Sequence, residues 1–187
     1  MANTYHLQKL RTGVTAWNAG RPLMMDIDLQ GADLHEADLR RAELNYADLQ
    51  GANLQGIDLR GANLQEADLS FTELSFADLR EANLQGADLE QADLQEADLR
   101  GADLEQADLQ GANLQRANLE HADLRGIPWL LVMALTLQPG ITWKDALYDH
   151  PVEPDLPTAE LERNEEQQKR KRGTASSAAE EKPSPQE

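Results

Sequence analysis

The dominant pattern in the chain is a leucine at every fifth position, from Leu29 to Leu124, which places twenty leucines in register. The residue directly before each leucine is Asp, Glu or Asn. Two residues before each leucine stands a small residue, nearly always alanine; the exceptions are Ile27, Ile57 and Thr72. This five-residue repeat occupies residues 26–126, called the rod below, and any fold must account for it.

A spacing of five residues does not fit an amphipathic helix. At 100° per residue, successive leucines would be about 140° apart around a helix and would form no single apolar stripe. Within each repeat, however, alanine and leucine lie two apart with a polar residue between them, which is the alternation of a short extended segment. Two polar residues then separate one segment from the next. The pattern predicts a chain that turns every five residues and hydrogen-bonds each coil to the coils above and below it.

Units such as Gly31-Ala32-Asp33-Leu34 closely resemble the A(D/N)LXX motif of the pentapeptide-repeat proteins. The resemblance implies an all-β solenoid: a right-handed quadrilateral β-helix with four repeats per coil, and therefore about five coils, with short α-helical caps at both ends. One internal feature agrees with four repeats per coil. Arginines recur every twenty residues, as a ladder stacked on one side would require, at Arg40, Arg60, Arg80 and Arg100.

The segment before the rod, residues 1–25, is predicted to be an N-terminal capping helix. Between Thr4 and Asn18, apolar residues recur at helical spacing and form one stripe: Leu7, Leu10, Val14 and Trp17. An uncovered first coil would present open leucines and an unpaired edge, so a helix covering that end is expected.

With residue 127 included, the predicted β-helical domain spans residues 26–127. The segment that follows, residues 128–150, is predicted to be a C-terminal helical cap or a dimer contact. Pro128 suits the start of a helix from Trp129 to Leu137, which is apolar nearly all round and must be covered on all sides. The last coil would cover one side, and a second short segment, opened by a capping box over 142–145, would cover another. The alternative, which the resemblance supports, is a homodimer contact through Trp129, Leu131 and Met133.

The remaining residues, 151–187, are predicted to be a charged and largely disordered tail, because prolines break its start and its end is rich in Ser, Ala, Glu and Pro. Within it, Ala159 to Arg172 is predicted to form a transient helix with charged pairs four residues apart. The basic run at 169–172 follows a series of acids, so we interpret it as a solvated charge run and predict no direct nucleic-acid binding.

The residues that carry chemistry in enzymes are absent or unpaired in this sequence. The chain has no cysteine, its four histidines form no ligand pair at short spacing, and no nucleophile motif or phosphate-binding loop occurs. The carboxylates are accounted for by the repeat, and inward leucine and alanine leave no interior pocket. The sequence therefore predicts a protein that is not an enzyme, with no catalytic residue, cofactor or metal site.

Three features of the sequence indicate where in the cell the protein is expected. Residues 1–20 lack the apolar run of a signal peptide, and no apolar segment approaches the ~20 residues needed to cross a bilayer. The absence of cysteine fits a reducing compartment. We therefore expect a cytoplasmic protein that makes no membrane contact.

The charge is concentrated in the rod. The whole chain carries minus 17, and residues 26–126 hold 23 Asp plus Glu against 7 Arg, hence minus 16. Five coils at a spacing of about 4.8 Å give a rod of roughly 24 Å. This is about one net charge per 1.5 Å, compared with one per ~1.7 Å along duplex DNA.

Four repeats per coil divide the rod into four sides of unequal charge. One side has no base and carries minus 6, from Asp28, Asp48, Asp68, Asp88, Asp108 and Glu90; we call it the Asp-ladder face. The opposite side contains the arginine ladder and comes to minus 1; we call it the Arg-ladder face. The other two sides carry minus 4 each. The Asp-ladder face is the predicted docking surface for a basic protein partner.

Two aromatic residues also stand at outward positions. Phe71 and Phe76 each occupy the second position after a leucine, on adjacent sides of the middle coil. Single exposed aromatics are ordinary surface variation, but as a pair they are candidate anchors for a partner.

Two functions are consistent with the sequence. The first is a non-catalytic protein-binding or structural β-helix that acts through its acidic outer faces, with an unidentified partner. The second, which the resemblance to quinolone-resistance members of the family implies, is a DNA mimic that binds a type II topoisomerase. Five coils match only about 7 base pairs of duplex in length, unless two chains join end to end.

Overall fold

The computed structural model describes residues 2–20 and 27–149, which belong to one compact unit. The predicted tail at 151–187, with its transient helix and basic run, lies outside the described residues. Three helices are present: α1 (Thr4–Arg11), α2 (Val14–Ala19) and α3 (Trp129–Thr136). None of these, within the described part of the chain, has the length and hydropathy of a membrane-spanning helix.

Between α2 and α3 the chain coils with a period of twenty residues. The residue before each leucine forms a parallel β-bridge with the residue twenty positions later, as in Asp28 with Asp48 and Asp33 with Asn53. Backbone hydrogen bonds flank each bridge: Leu29 donates to the carbonyl of Asp48 at 2.8 Å, and Asp48 donates to that of Ile27 at 2.8 Å. Each side of a coil contributes one such bridge, and no longer strand occurs in the described residues.

The alternation within each repeat determines what the coils bury. All twenty leucines of the repeat are at most 4 % exposed, and nearly all of the small residues two positions earlier are buried with them. Because successive leucines of one column belong to successive coils, each stacks on its counterparts above and below. Burying one leucine stabilises a fold by roughly 1.5–3 kcal/mol, so the stacked columns supply the apolar core without a disulfide or metal.

Each corner between two sides is a tight turn. The first corner is closed by a hydrogen bond of 2.9 Å from the Ala32 amide to the Leu29 carbonyl, and Gly31 at its third position has φ +64°. A type II turn requires this left-handed backbone, which glycine adopts without strain. Other corners hold bulky residues in the same conformation, among them Phe71 at +59°. The corner side chains therefore point away from the core whatever their identity.

The N-terminal segment is two helices, and the prediction of a single helix from Thr4 to Asn18 was wrong. Gly13, at φ +112°, has a backbone conformation outside any helix and separates α1 from α2. Both helices lie against the first coil: the Trp17 side chain is fully buried and its indole N–H donates to the Glu43 carbonyl at 2.9 Å. The Asn3 amide donates to the Asp28 carbonyl at 3.0 Å.

At the C-terminal end, the predicted capping box at 142–145 is also wrong, because no helix begins there. Thr142 forms a parallel bridge with Asn118, and Leu147 with Asp123, so residues 141–149 continue two sides of the rod as half a coil. The alternation of the repeat survives there, because Trp143 and Tyr148 take the places of leucines. The prediction failed because the intervening helix shifts the twenty-residue period.

Helix α3 ends at Thr136, one residue before the predicted end, and lies over the last leucines with the half coil beside it. The ring of Tyr148 stacks between Trp129 and Trp143, with centroid distances of 5.6 and 5.8 Å. The Gln138 side chain replaces a missing backbone segment: it accepts from the Leu114 amide at 2.6 Å and donates to the Ala112 carbonyl at 2.9 Å. The Leu114 amide and the Ala112 carbonyl at the end of the rod are thereby paired.

Candidate functional site

In nearly all repeats, the Asp or Asn before the leucine holds the turn that follows it; Glu73 makes no such bond. One carboxylate oxygen accepts the amide hydrogen of the residue two positions later, from Gln30 to Asp28 at 3.2 Å, from Gln50 to Asp48 at 3.1 Å and from Glu90 to Asp88 at 2.9 Å. Asparagine makes the same bond, for instance Asn53 with the Gln55 amide at 3.1 Å. Most repeats thus use an acceptor at this position, and only some of the acceptors are charged.

The structure aligns the five predicted aspartates of the Asp-ladder face. Each is the bridge partner of the next, so they stack at the strand spacing of about 4.8 Å. The five aspartates are Asp28, Asp48, Asp68, Asp88 and Asp108. Within residues 2–20 and 27–149, no Arg or Lys forms an ion pair with any of these aspartates. Beside them, an amide ladder links Gln30 to Gln50 at 3.0 Å and Gln50 to Ser70 at 3.1 Å.

On the Arg-ladder face, each arginine pairs with the aspartate two residues before it. Arg40 binds Asp38 through two bonds of 2.8 and 2.6 Å, and the Arg40 Nε lies 3.6 Å from Asp58 in the next coil. The hydrogen bonds from Arg40 lower the pKa of Asp38 from 3.8 to about 2. Those from Arg60 likewise lower the pKa of Asp58. Sequence reasoning found the arginine column but missed this pairing, although the Asp-Leu-Arg spacing was visible.

This pairing sharpens the difference between opposite sides of the rod. The aspartates of the Arg-ladder face are compensated by arginines in direct contact, while those of the Asp-ladder face have no basic residue on their side. The side charges of minus 1 and minus 6 therefore correspond to two surfaces of different local chemistry.

The two phenylalanines are at corners of the middle coil and point outward, as predicted. Their side chains are 51 % exposed at Phe71 and 55 % at Phe76. The ring of Phe71 closes one end of an open groove of about 570 Å³, which is also lined by Gln30, Gly31, Gln50 and Gly51. Phe76 is not among the residues that line it. The groove was missed at the sequence level; its only signal was glycine, glycine and phenylalanine at twenty-residue spacing.

The predicted dimer residues do not share one exposed surface. Trp129 and Leu131 are partly buried and pack against the core, whereas Met133 is 41 % exposed. The exposed apolar side chains at this helix are Leu130 and Met133 on α3 and Leu137 at its C-cap; Leu130 and Leu137 are each 83 % exposed.

The described residues contain no cluster of His, Asp or Glu that could hold a metal ion. A larger concavity of about 690 Å³ lies beside the Arg-ladder face, below the start of α2. Its walls include Arg40, Arg60 and Arg80, whose guanidinium groups are already bound to aspartates. Besides these pairs, the walls hold one further arginine, Arg41, and one further carboxylate, Glu81, so the concavity has no excess of positive charge.

Comparison with known proteins identifies the repeat. A family model described as pentapeptide repeats matches eight copies, over residues 24–61, 57–95 and 87–126. A search of curated protein sequences finds no match.

Solved structures of similar proteins include a pentapeptide repeat protein from the thylakoid lumen of Arabidopsis thaliana, 28% identical over 59% of this chain and 72% of its own, with a TM-score of 0.40. Another, from the cyanobacterium Cyanothece 51142, is 34% identical over 60% of this chain and 65% of its own, with a TM-score of 0.30. QnrB1, a plasmid-mediated fluoroquinolone resistance protein, is 23% identical over 63% of this chain and 61% of its own, with a TM-score of 0.34. The chain thus spans less than two thirds of the length of the latter two.

The family model covers residues 24 to 126, more than half of the 187 residues. The matched copies coincide with the coiled region, and their fold class is the right-handed β-helix. The chain belongs to the pentapeptide-repeat family.

Proposed function

We propose that the protein is a non-catalytic binding protein whose Asp-ladder face docks a protein partner with a basic surface. The proposal takes the rod as a four-sided, right-handed β-helix covered by helices at both ends, which the twenty-residue bridge register and the buried Trp17 support. The observation that carries it is the row of aspartates that form no ion pair with Arg or Lys within residues 2–20 and 27–149, opposite a side where arginines compensate the equivalent residues.

Electrostatics explains why such a row attracts a partner. Like charges about 4.8 Å apart raise the negative potential along one line, and Lys or Arg side chains of a partner relieve it. The hydrogen bonds to the turns already hold these carboxylates in place, so docking orders few side chains and little conformational entropy is lost. A filled core of leucine and alanine also favours binding at the outside over catalysis inside.

The test replaces three aspartates of the face, Asp48, Asp68 and Asp88, by asparagine. Asparagine keeps the bond to the turn and removes only the charge. The probe is a capped five-residue peptide, Lys-Arg-Leu-Arg-Lys, called the leucine peptide. Its binding to the protein is measured by fluorescence anisotropy at several salt concentrations. We expect the triple variant to bind it about tenfold more weakly and with a flatter salt dependence.

The control must remove the same charge without disturbing an ion pair. Asp38, Asp58 and Asp78 are unsuitable, because their removal would free arginines and make that side positive. Changing Glu36, Glu66 and Glu81 to glutamine removes three corner carboxylates from the other three sides. Equal weakening by both triple variants would show that the peptide senses net charge, and the docking face would be wrong.

The second candidate function is a DNA mimic that binds a type II topoisomerase. The observation that favours it is the linear charge density of the rod, about one net charge per 1.5 Å, close to that of duplex DNA. A gyrase supercoiling assay with and without a fluoroquinolone tests it. The wild-type protein should inhibit supercoiling or protect it from the drug, and the Asp48, Asp68, Asp88 triple variant should lose the effect. Unchanged supercoiling with wild-type protein would exclude this function.

A further inference from the structure

The groove beside Phe71 is open because two successive corners lack a side chain. A Cβ atom placed at Gly31 or Gly51 would meet nothing within 4 Å. The backbone conformation of these corners does not require glycine, since Gln91, two coils after Gly51, occupies the equivalent corner at φ +56°. The effect of the two glycines is therefore to expose a strip of backbone along the edge of the Asp-ladder face.

The end wall of the groove is an exposed aromatic ring. Phe71 has the left-handed backbone that the corners of this rod share, at φ +59°, and its ring is half exposed. The ring adds nothing to the core, because it points away from it. It therefore offers an apolar surface that a side chain of another molecule can cover.

The groove has a polar edge and an acidic flank. Gln30 and Gln50, joined by a hydrogen bond of 3.0 Å, form its edge. Asp28 and Asp48 lie on the same side of the rod, each two residues before one of these glutamines and fixed by its amide. An apolar ring, bare backbone and uncompensated carboxylates thus meet along one strip of surface.

We propose that this groove receives a large apolar side chain of the protein partner, flanked in that partner by Lys or Arg residues that pair with the Asp-ladder face. The inference rests on the proposed docking function and specifies the partner: a basic segment interrupted by one leucine-sized or aromatic residue. The apolar residue packs on the Phe71 ring above Gly51, and its basic neighbours extend over Asp28 and Asp48. Charge brings the segment to the face, and the groove fixes its register along the ladder.

The chain contains only two phenylalanines, which gives a direct readout. Protein labelled with 4-fluorophenylalanine shows two fluorine resonances, assigned by the single variants Phe71→Leu and Phe76→Leu. The probes are the leucine peptide and Lys-Arg-Ser-Arg-Lys, the serine peptide, which has the same charge. We expect the leucine peptide to shift the Phe71 resonance saturably, to leave that of Phe76 in place, and to bind about fivefold more tightly than the serine peptide.

Filling the groove provides a second measurement. Gly51→Gln places a side chain over the strip without a backbone clash, and we expect it to reduce the affinity for the leucine peptide to that for the serine peptide. The matched control is Gly101→Gln on the Arg-ladder face, where φ is +66° and a Cβ would lie 3.8 Å from the Glu81 side chain. It imposes the same backbone strain and should leave both affinities unchanged.

The results separate this inference from the docking face itself. If both peptides bind equally, or if the Phe71 and Phe76 resonances shift together, the groove is not the apolar site. If the Asp48, Asp68, Asp88 triple variant still weakens both peptides in that case, the docking face stands without the groove. If the triple variant changes neither affinity, the docking face is wrong, and the groove proposal falls with it.

Discussion

At the scale of single residues, the acidic position of the repeat serves two purposes that can be separated. Its side-chain oxygen accepts a hydrogen bond from the turn, and where the residue is aspartate it also adds charge. Asn53 and Asn63 satisfy the first purpose alone, with bonds of 3.1 and 3.3 Å. Nearly every repeat therefore uses the acceptor, and the distribution of charge is free to serve binding.

Asp48 tests this separation. Asp48→Ala removes the acceptor of the Gln50 amide, and we expect the free energy of unfolding to fall by about 1 kcal/mol. Asp48→Asn keeps the bond and lowers repulsion from Asp28 and Asp68, so we expect a change within about 0.5 kcal/mol. Urea unfolding followed by circular dichroism measures both. Similar losses in the two variants would mean that the charge, and not the hydrogen bond, stabilises the repeat.

Because of the ion pairs on the Arg-ladder face, we expect the folded protein to lose stability in acid. The pKa of Asp38 is lowered from 3.8 to about 2 by hydrogen bonds from Arg40, so the folded protein binds this proton less readily than the unfolded chain. The resulting stabilisation is complete above about pH 4 and disappears as the pH falls toward 2. Unfolding measured across this range should show a smaller loss for Asp38→Asn than for wild type. The control, Glu66→Gln, removes a carboxylate away from the ladder and should behave as wild type does.

Much at the residue scale could be predicted from the sequence. The inward leucines, the outward phenylalanines and the arginine column all follow from a period of five and four repeats per coil. The groove at Gly31 and Gly51 could not be predicted, because a concavity depends on which side chains of neighbouring coils lean over the corner. The hydrogen bonds from the turns to the aspartates could not be predicted for another reason. A strict repeat accounts for the position of every aspartate, but it does not indicate which backbone atom the carboxylate contacts.

At the scale of elements, the ends of the chain were the hardest to predict. Gly13 separates α1 from α2, yet the apolar spacing from Leu7 to Trp17 continues across it as in one helix. At the other end, α3 lies between Asp123 and its bridge partner Leu147, and Thr142 pairs 24 residues after Asn118. With the period shifted and Trp143 in place of leucine, the half coil was unrecognisable as a repeat.

The C-terminal end of the rod yields a prediction about solubility. Removing residues 128–150 deletes α3 and the half coil, which exposes the last leucines and the amides of Leu119 and Leu124 that now donate to residues 142 and 147. An open edge of this kind pairs with other chains, so the truncated protein should aggregate, as measured by light scattering against the full chain. A truncated protein that remains monomeric and soluble would show that these residues do not protect the end.

At the scale of the whole molecule, length limits what the charge can do. Five coils extend roughly 24 Å, comparable to about 7 base pairs, which is short for a surface that replaces duplex DNA. Two chains joined through their α3 ends would double that length. Helix α3 and its C-cap offer three exposed apolar side chains for such a contact, Leu130, Met133 and Leu137.

We therefore expect the wild-type protein to be a dimer with twice the chain mass of 20.7 kDa, measured by light scattering after size-exclusion chromatography. Leu130→Glu with Leu137→Glu would bury two charges in the contact, so this variant should run as a monomer that keeps the wild-type circular dichroism spectrum. The control is Leu147→Glu, a residue 53 % exposed on the half coil at the same end, which should leave the dimer intact. A wild-type protein that is monomeric at every concentration would contradict the dimer and would leave the DNA mimic with too short a charged surface. Docking of a basic segment on the Asp-ladder face requires only one chain, so it would be unaffected by that result.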